Sequence, residues 1–291
     1  MTDTAPKFTP FGLNIGGRLV DYTRPAVMGI VNVTPDSFYA GSRTTDAEAV
    51  ERRVAAMLGE GVDIIDVGAY SSRPGAADVS PEEEYERLAR GLEAVRRVAP
   101  DAVVSVDTFR ASVARKAVSD FGPLIINDIS GGALDDDMFE TVAELGVPYI
   151  MMHMRGTPAD MQQHCDYDSL ASDILAELGE RLGRLTLMGV SDIIVDPGFG
   201  FSKTLAQNYE LLTSLPLFAL FHRPLLVGLS RKSMATRLLG IDTADALNAT
   251  TVLNTLALDR GASILRVHDV AAARQAVDIF TATTDFGSIN K

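Results

Sequence analysis

Short apolar runs rich in β-branched residues alternate with longer amphipathic segments from residue 27 onward. This alternation is typical of repeated βα units whose strands form a parallel sheet. Most of the runs are continuously apolar, which indicates strands that are covered on both faces. Eight strands are predicted, over Val27–Asn32, Val62–Val67, Ala102–Asp107, Leu124–Asn127, Pro148–His153, Asp192–Asp196, Leu225–Ser230 and Ser263–Val267.

Eight strands favour an α/β fold of the closed kind, a (β/α)8 TIM barrel. An open doubly wound sheet would give the same alternation, but it usually has five or six strands. The length of 291 residues suits one large barrel or two small domains, and no linker with a shift in composition interrupts the chain. We therefore predict a single barrel over residues 27–284, followed by a tail at 285–291.

Helix signals lie between several of the predicted strands. Caps, a proline at a first helical position, acidic first turns and terminal glycines mark where these helices begin and end. Helices are predicted over Ala47–Gly59, from Pro81 after an N-cap at Ser80, after Asp168-Ser169 to near Gly189, and over Ala244–Arg260 before Gly261.

The segment before the first barrel strand has a different pattern. Phe11–Ile15 and Arg18–Tyr22 flank Gly16-Gly17, which is the signal of a two-residue β-hairpin. Residues 1–26 are therefore predicted to form an N-terminal hairpin that closes the bottom of the barrel.

Each predicted strand has a polar or ionisable residue at or near its end. In a β/α barrel the chemistry gathers at the C-terminal ends of the strands, where the βα loops begin. Any one such residue suits a helix cap, but caps do not require lysine, arginine and histidine at successive ends. The residues are Asn32, Asp66, Asp107, Asn127, His153, Asp196, Ser230 with Lys232, and Arg266 with His268.

An acidic side of this set points to a heterocycle. Asp107, Asn127 and Asp196 offer hydrogen-bond acceptors suited to the N–H groups along the edge of a planar ring. For Asp66 and Arg231, buried structural ion pairs remain an open alternative to a binding role.

A basic side of the set points to an anion. Lys232, Arg266 and His268 supply cationic donors, and Asn32 with the loop after it adds further polar groups. Together the two sides imply a substrate that carries both a heterocycle and a phosphate or diphosphate.

The composition of the chain limits the kinds of partner and the cellular setting that we expect for the protein. Hydrophobic residues make up 46% of the chain, enough for a large core, and the longest apolar runs are too short to span a bilayer. A formal net charge of −13 argues against nucleic acid as a partner. Cys165 is the one cysteine, so no intramolecular disulfide can form, and the visible N-terminus carries no secretory signal. A reducing, cytoplasmic setting fits these features best, and no pair of histidines has metal-ligand spacing.

Eight ordered motifs carry a family likeness. They are Gly29–Phe38, Ser72–Gly75, Ser105–Thr108, Ile126–Asp128, Met152–Met154, Asp196–Phe201, Ser230–Ser233 and Arg266–His268. Over Met28 to about Ala282 the chain resembles dihydropteroate synthases, and so many motifs in order at strand ends form a specific signal.

The resemblance implies an enzyme that condenses 7,8-dihydropterin-6-ylmethyl diphosphate with p-aminobenzoate, releasing diphosphate. It also implies Mg²⁺ held at Asn32 and a homodimer. Asp107, Lys232, Arg266 and His268 would carry the catalysis. The pterin would be bound by Asp107, Asn127, Met152, Asp196 and Lys232, the diphosphate by Asn32, Arg266 and His268, and the aminobenzoate by Ser72, Arg73, Pro74, Phe201 and Ser230.

One segment departs from the family pattern. The family usually has Gly-Glu-Ser-Thr-Arg-Pro where this chain has Ala-Tyr-Ser-Ser-Arg-Pro at residues 69–74. Ser72 keeps the hydroxyl of the usual threonine, whereas Tyr70 replaces an acid.

Two other functions remain open, a pterin-dependent methyltransferase and a non-catalytic pterin binder. The cationic residues Lys232, Arg266 and His268 argue against the methyltransferase, because a methyl donor needs no diphosphate site.

Overall fold

The computed structural model describes residues 8–33, 43–70 and 79–284. The predicted tail at 285–291 lies outside these residues, as do Ser72, Arg73 and Pro74. Two sheets are present in the described part. A two-stranded antiparallel hairpin precedes an eight-stranded parallel sheet. The proposed division of the chain at residues 26 and 284 stays a prediction.

The eight parallel strands follow one another around a ring. Each of the first five strands pairs with the next along the chain, and the last strand pairs with the first and with the seventh. The strands are β3 (Ala26–Asn32), β4 (Ile64–Gly68), β5 (Val103–Asp107), β6 (Ile125–Asp128), β7 (Tyr149–Met152), β8 (Ile193–Asp196), β9 (Leu226–Val227) and β10 (Ile264–Val267).

The ring is completed between β8 and β9 by a single parallel bridge, Val195 to Leu225. The Val195 amide donates to the Pro224 carbonyl at 2.9 Å. The predicted closed barrel is therefore confirmed over the open sheet. The last-but-one strand is shorter than the predicted Leu225–Ser230, because the chain leaves the sheet at Gly228 and turns through Arg231, whose φ is +55°.

Helices surround the barrel. Most of them follow a strand and pack an apolar face against the outside of the sheet. Within the described residues they are α1 (Arg43–Gly59), α2 (Pro81–Val98), α3 (Ala111–Phe121), α4 (Met138–Leu145), α5 (Leu170–Leu187), α6 (Leu205–Ser214), α7 (Ser233–Leu239), α8 (Leu247–Asp259) and α9 (Val270–Thr284). None of the helices in this part of the chain is both long and apolar enough to cross a bilayer.

The helix signals are confirmed at α2, where the Ser80 hydroxyl accepts from the Glu83 amide at 3.2 Å. The predicted helix over Ala244–Arg260 is wrong at its start. A 3₁₀ turn at residues 243–245 precedes α8, which begins at Leu247. Arg231 gives the physical reason, because its Nη1 donates to the carbonyls of Thr243 and Ala244, which a continuous helix would use itself.

The hairpin packs on the barrel at the N-terminal ends of its strands. Its strands β1 (Phe11–Ile15) and β2 (Arg18–Tyr22) have the predicted bounds. Leu13, Ile15 and Tyr22 form one buried cluster with an inward-facing apolar residue of every barrel strand. Those strand residues are Met28, Ile64, Val103, Ile125, Ile150, Ile194, Leu226 and Ile264. The hairpin thus plugs the bottom of the barrel, as the sequence predicts.

Candidate functional site

The interior of the barrel changes from apolar to mainly polar within two residues. Side chains two apart on a strand share a face, so the residues two positions after the buried apolar layer also point inward. These residues are Ile30, Asp66, Ser105, Asn127, Met152, Asp196, Gly228 and Arg266. They form the floor of a site at the C-terminal ends of the strands, where the sequence places it.

Arg266 joins side chains from three strands across this floor. Its Nε donates to Asp66 Oδ2 at 2.7 Å, and its Nη2 donates to Asp107 Oδ2 at 2.7 Å. Asn127 Nδ2 lies 3.4 Å from both carboxylate oxygens of Asp66. Since β3 separates β10 from β4, and β5 separates β4 from β6, these contacts cross the barrel interior. The ion-pair alternative is confirmed for Asp66, whose side chain is fully buried.

The division into an acidic and a basic side needs correction at Arg266. The sequence pattern groups it with Lys232 and His268, but its guanidinium lies between the carboxylates of Asp66 and Asp107. Two carboxylates in one buried site repel each other, and a cation between them offsets that repulsion. The Nη1 group of Arg266 donates to none of the described residues, so it remains available to an anionic ligand.

Asp107 is a titratable group at this site. Burial raises its pKa to about 7, Arg266 lowers it, and the carboxylate of Asp66 raises it further. Its side chain keeps 21% exposure, so it faces the open part of the pocket. A carboxylate that changes charge near neutral pH, beside a specific cation in a cleft, is a mark of a functional site.

Asp196, at the end of β8, and Lys232, directly before α7, are opposite charges that influence each other. Burial raises the pKa of Asp196 and lowers that of Lys232 to about 8, while each charge favours the charged form of the other. Lys232 Nζ donates to the Phe199 carbonyl and lies 4.7 Å from the centroid of the Phe201 ring. Gly200 leaves room for it, since a Cβ there would lie 3.1 Å from Lys232 Cδ. Lys232 is therefore held over an aromatic face beside a buried carboxylate.

Ser230 and His268 contact each other, although the sequence assigns them to different substrates. Ser230 Oγ lies 3.0 Å from His268 Nδ1 and accepts from the His268 amide at 3.1 Å. Arg53 of α1 donates to the His268 carbonyl, which fixes the backbone after β10. The contact places the predicted diphosphate and aminobenzoate regions side by side. The ion pair that the sequence leaves open as an alternative for Arg231 is also present, with Asp269 at 2.8 Å.

Asn32 provides an oxygen at the end of β3. A Cβ built on Gly68 would lie 3.7 Å from Asn32 Oδ1 and 3.5 Å from Asp107 Oδ2, so these oxygens flank the glycine. No group of three or more His, Cys, Asp or Glu that could hold a metal lies within residues 8–33, 43–70 and 79–284. An amide oxygen suits Mg²⁺, which is commonly held by one or two protein oxygens together with substrate phosphates and waters.

The remaining side of the pocket is apolar. Met152 lies in a buried cluster with Ile129, Met154 and Met161, and Phe201 packs against that cluster. Ser72, Arg73 and Pro74, which the sequence assigns to the same region, lie outside the described residues. Of the predicted aminobenzoate residues, the structure therefore places Phe201 and Ser230.

Tyr70, at the departure from the family pattern, adds to this aromatic side. Its ring meets that of Phe109 edge-on, with centroids 5.0 Å apart. The guanidinium of Arg110 lies 5.5 Å from the Tyr70 centroid and is paired with the buried Glu84. The tyrosine ring therefore contacts both an aromatic ring and a guanidinium. An acidic side chain at this position has no ring with which to make the contact to Phe109.

Sequence reasoning misses one buried cation near the site. Lys203 follows the Asp196–Phe201 motif by two residues and is 3% exposed. Its Nζ lies 3.1 Å from Nδ1 of His153, which is fully buried and does not line the pocket. The one feature of the sequence that could have indicated a buried cation here is a lysine directly after a glycine-rich turn, with no acid close to it in the sequence.

Comparison with known proteins agrees with this architecture. The sequence profile of a family described as pterin binding enzyme matches residues 28–268. The chain belongs to this family. The match runs from β3 to the residue after β10 and so takes in the barrel strands and the polar residues at their ends.

Among relatives of this pterin binding enzyme, dihydropteroate synthase of Escherichia coli is 39% identical over 269 residues, covering 92% of this chain and 94% of the relative. A mitochondrial folate synthesis bifunctional protein of Arabidopsis thaliana is 42% identical over 275 residues, and the match covers 89% of this chain. The chain spans 50% of that longer relative. A solved structure of Xanthomonas albilineans dihydropteroate synthase with 4-aminobenzoic acid is 37% identical, with a TM-score of 0.86, covering 94% of this chain and 98% of the other.

Proposed function

We propose that this pterin binding enzyme is a dihydropteroate synthase, which joins 7,8-dihydropterin-6-ylmethyl diphosphate to p-aminobenzoate. The observation that carries the proposal is the convergence of Asp107, Asn127, Asp196, Lys232 and Arg266 on one pocket beside an apolar, aromatic wall. The names of the relatives from E. coli and X. albilineans support the same activity.

The pterin is assigned to the buried floor. Asp107, Asn127 and Asp196 offer oxygen acceptors to the N–H groups of the ring, and Asn127 and Lys232 offer donors to its acceptor atoms. Met152 supplies an apolar surface for a ring face. Burial strengthens each of these polar contacts, because water competes less for them.

The diphosphate is assigned to Arg266, His268 and Asn32. Arg266 can keep its pair with Asp66 while the Nη1 group donates to a phosphate oxygen. Mg²⁺ would be held by Asn32, and when bound it supplies positive charge beside the diphosphate oxygens. The aminobenzoate is assigned to Phe201 and Ser230, with Ser72, Arg73 and Pro74 completing that side.

In the proposed reaction the bond between the exocyclic methylene carbon and the diphosphate oxygen breaks, and the electron pair leaves with the diphosphate. The amine nitrogen of p-aminobenzoate forms the new bond to this carbon and loses a proton to solvent. Arg266 and His268 stabilise the leaving charge, and the carboxylate of Asp107 stabilises positive charge developing on the pterin. The weakly basic amine requires no dedicated general base.

The test is release of diphosphate measured with both substrates and with each omitted. Release that depends on both the pterin diphosphate and p-aminobenzoate is expected. Asp107→Ala is expected to lower kcat/KM by about 100-fold or more, because a preorganised charge at the reacting centre is lost. The exposed Asp136 provides a matched control, since Asp136→Ala should leave the rate unchanged. Near-normal turnover of Asp107→Ala would reject the assignment.

A homodimer in the cytoplasm is part of the proposal. Exposed apolar side chains on and between the last three helices support an interface between two copies. They are Leu238, Leu239, Leu247, Val252, Leu256 and Ile279. The cytoplasmic setting is supported by the single, unpaired Cys165.

A further inference from the structure

Lys203 lies between β8 and α6, directly after a turn over residues 198–201 in which the Phe201 amide donates to the Gly198 carbonyl. Its ammonium is buried, and none of the substrate roles above uses it. A buried ammonium destabilises a fold unless every N–H group has a partner, so its contacts indicate its purpose.

The three N–H groups of Lys203 have three acceptors. Nζ lies 3.0 Å from the carbonyl of Gly198, 3.0 Å from the carbonyl of Phe201 and 3.1 Å from His153 Nδ1. The two carbonyls belong to the first and last residues of the turn that carries Phe201. Lys203 therefore ties both ends of this turn to the wall of the barrel.

His153 is held in the state that accepts from Lys203. Burial lowers the pKa of His153 to about 4, so the ring is neutral near pH 7. Its Nε2 lies 3.1 Å from Glu177 Oε2, which assigns the proton to Nε2 and leaves the Nδ1 lone pair for Lys203. Arg155 Nε donates to Glu177 Oε1 at 2.8 Å, and the hydrogen bonds from His153 and Arg155 outweigh the effect of burial and hold the Glu177 pKa at about 2.

The charge of Lys203 is balanced by groups on several elements. Burial lowers its pKa to about 7, Asp196 raises it, Lys232 lowers it, and Glu177 and Cys165 raise it. Below that pH all three N–H donors are present. The neutral amine has two donors for three acceptors, so one of the contacts to the turn or to His153 would be lost.

The turn itself leaves little room for adjustment. Gly198 has φ +75°, and a Cβ there would lie 1.9 Å from the carbonyl oxygen of His153. On the pocket side, Lys232 Nζ donates to the carbonyl of Phe199 and faces the ring of Phe201. Two lysines therefore bind carbonyls of this turn, Lys203 those of Gly198 and Phe201 and Lys232 that of Phe199.

We propose that Lys203 is a positioning residue that, through the Gly198 and Phe201 carbonyls, sets the place of the Phe201 ring and so the affinity for the aminobenzoate substrate. The His153–Glu177–Arg155 chain holds Lys203 in place. The inference rests on the proposed function, because it concerns the second substrate of that reaction.

The test compares the two substrates in Lys203→Met, which keeps the length of the side chain and removes its donors. The KM for p-aminobenzoate is expected to rise at least 10-fold, while the dissociation constant of the pterin, measured by its fluorescence, changes less than threefold. Lys116→Met is the matched control. Lys116 is exposed and its Nζ lies over the ring of Tyr85, so this substitution should alter neither constant.

A purely structural role would change both constants by similar factors or lower only the active fraction, and either result would overturn the proposal. If Lys203→Met does not fold, Glu177→Gln tests the same chain, since Glu177 is half-buried on α5 and touches no assigned substrate group. It should raise the KM for p-aminobenzoate about threefold with unchanged pterin binding, and no change in that KM would refute the proposal. Absence of product with the wild-type enzyme would refute the proposed function instead, and pterin binding would still be measurable.

Discussion

At the scale of single residues, the site depends on how its charges are paired. Arg266 and Asp66 form a buried pair, whose partners have side-chain exposures of 22% and 0%. Arg115 and Glu144 form an exposed pair, at 51% and 52%. Removing Asp66 takes a charge-assisted hydrogen bond from Arg266 in a poorly solvated place, where water replaces it badly, whereas an exposed partner is readily hydrated.

Asp66→Asn leaves Arg266 paired with Asp107 and is expected to lower the free energy of unfolding by about 1–3 kcal/mol, because a buried, charge-assisted hydrogen bond is lost. Glu144→Gln, the matched exposed change, should lower it by less than about 1 kcal/mol. Urea unfolding followed by circular dichroism measures both. Equal effects of the two substitutions would show that Asp66 does not hold Arg266 as described.

A pH profile tests the two titrating groups. Asp107, with a pKa raised to about 7, accepts hydrogen bonds as a carboxylate only above that pH, and Lys232, with a pKa lowered to about 8, is charged only below it. The kcat/KM for the pterin diphosphate should rise through about pH 7 and fall through about pH 8. The residual activity of Asp107→Asn should lack the rise on the acidic side. Persistence of that rise would assign it to another group.

The sequence places most of these residues but not their partners. Asp107, Asn127, Asp196 and Arg266 were identifiable because each ends an apolar run. Their pairing was not, since Arg266 and Asp66 are 200 positions apart and meet only when the ring of strands closes. The burial of Lys203 was not predictable for the same reason, because its acceptor on His153 lies 50 positions away.

At the scale of elements, the hairpin illustrates a local signal with a tertiary consequence. Gly16 and Gly17 both have positive φ, as their turn requires. They differ in their surroundings, because a Cβ on Gly16 would lie 2.1 Å from Pro123 Cγ, and a Cβ on Gly17 would have nothing within 4 Å. The first glycine therefore also allows the hairpin to seat against the barrel.

Gly17→Ala should lower the free energy of unfolding by about 1–2 kcal/mol, the strain of an L-residue in this conformation. Gly16→Ala should lower it by about 1–3 kcal/mol more, because the methyl group overlaps Pro123. Thermal unfolding of the two variants, side by side, measures the difference. Identical midpoints of thermal unfolding would mean that the hairpin does not pack closely against Pro123 at Gly16.

Strands and helices were predictable where the pattern is local. The eight strands and the hairpin follow from apolar runs and one Gly-Gly turn. The early end of β9 and the break before α8 were not predictable, because both involve Arg231, whose guanidinium binds carbonyls 12 and 13 residues away. Propensity and capping signals contain no information about such a distant donor.

At the scale of the whole molecule, the last three helices present an unusual outer surface. Val252 and Leu256 lie one turn apart on α8 and are 51% and 38% exposed. Ile279 on the neighbouring α9 is 65% exposed. Burial of this surface between two copies is the arrangement proposed above.

The double substitution Val252→Arg with Leu256→Arg is expected to convert a dimer into a monomer, because two charges on each copy would be buried without partners. Leu187→Arg on α5, at a position 90% exposed, is the matched control and should leave the dimer intact. Analytical ultracentrifugation distinguishes the species. A wild-type monomer, or a double variant that stays dimeric, would contradict this interface.

The most direct test of the central claim is the stoichiometry of the reaction. The wild-type enzyme is given pterin diphosphate, labelled p-aminobenzoate and Mg²⁺, and dihydropteroate and diphosphate are quantified together. One dihydropteroate for each diphosphate released is the result that a synthase with the site described here predicts. Diphosphate released without coupled dihydropteroate, or pterin bound with no release at all, would contradict it.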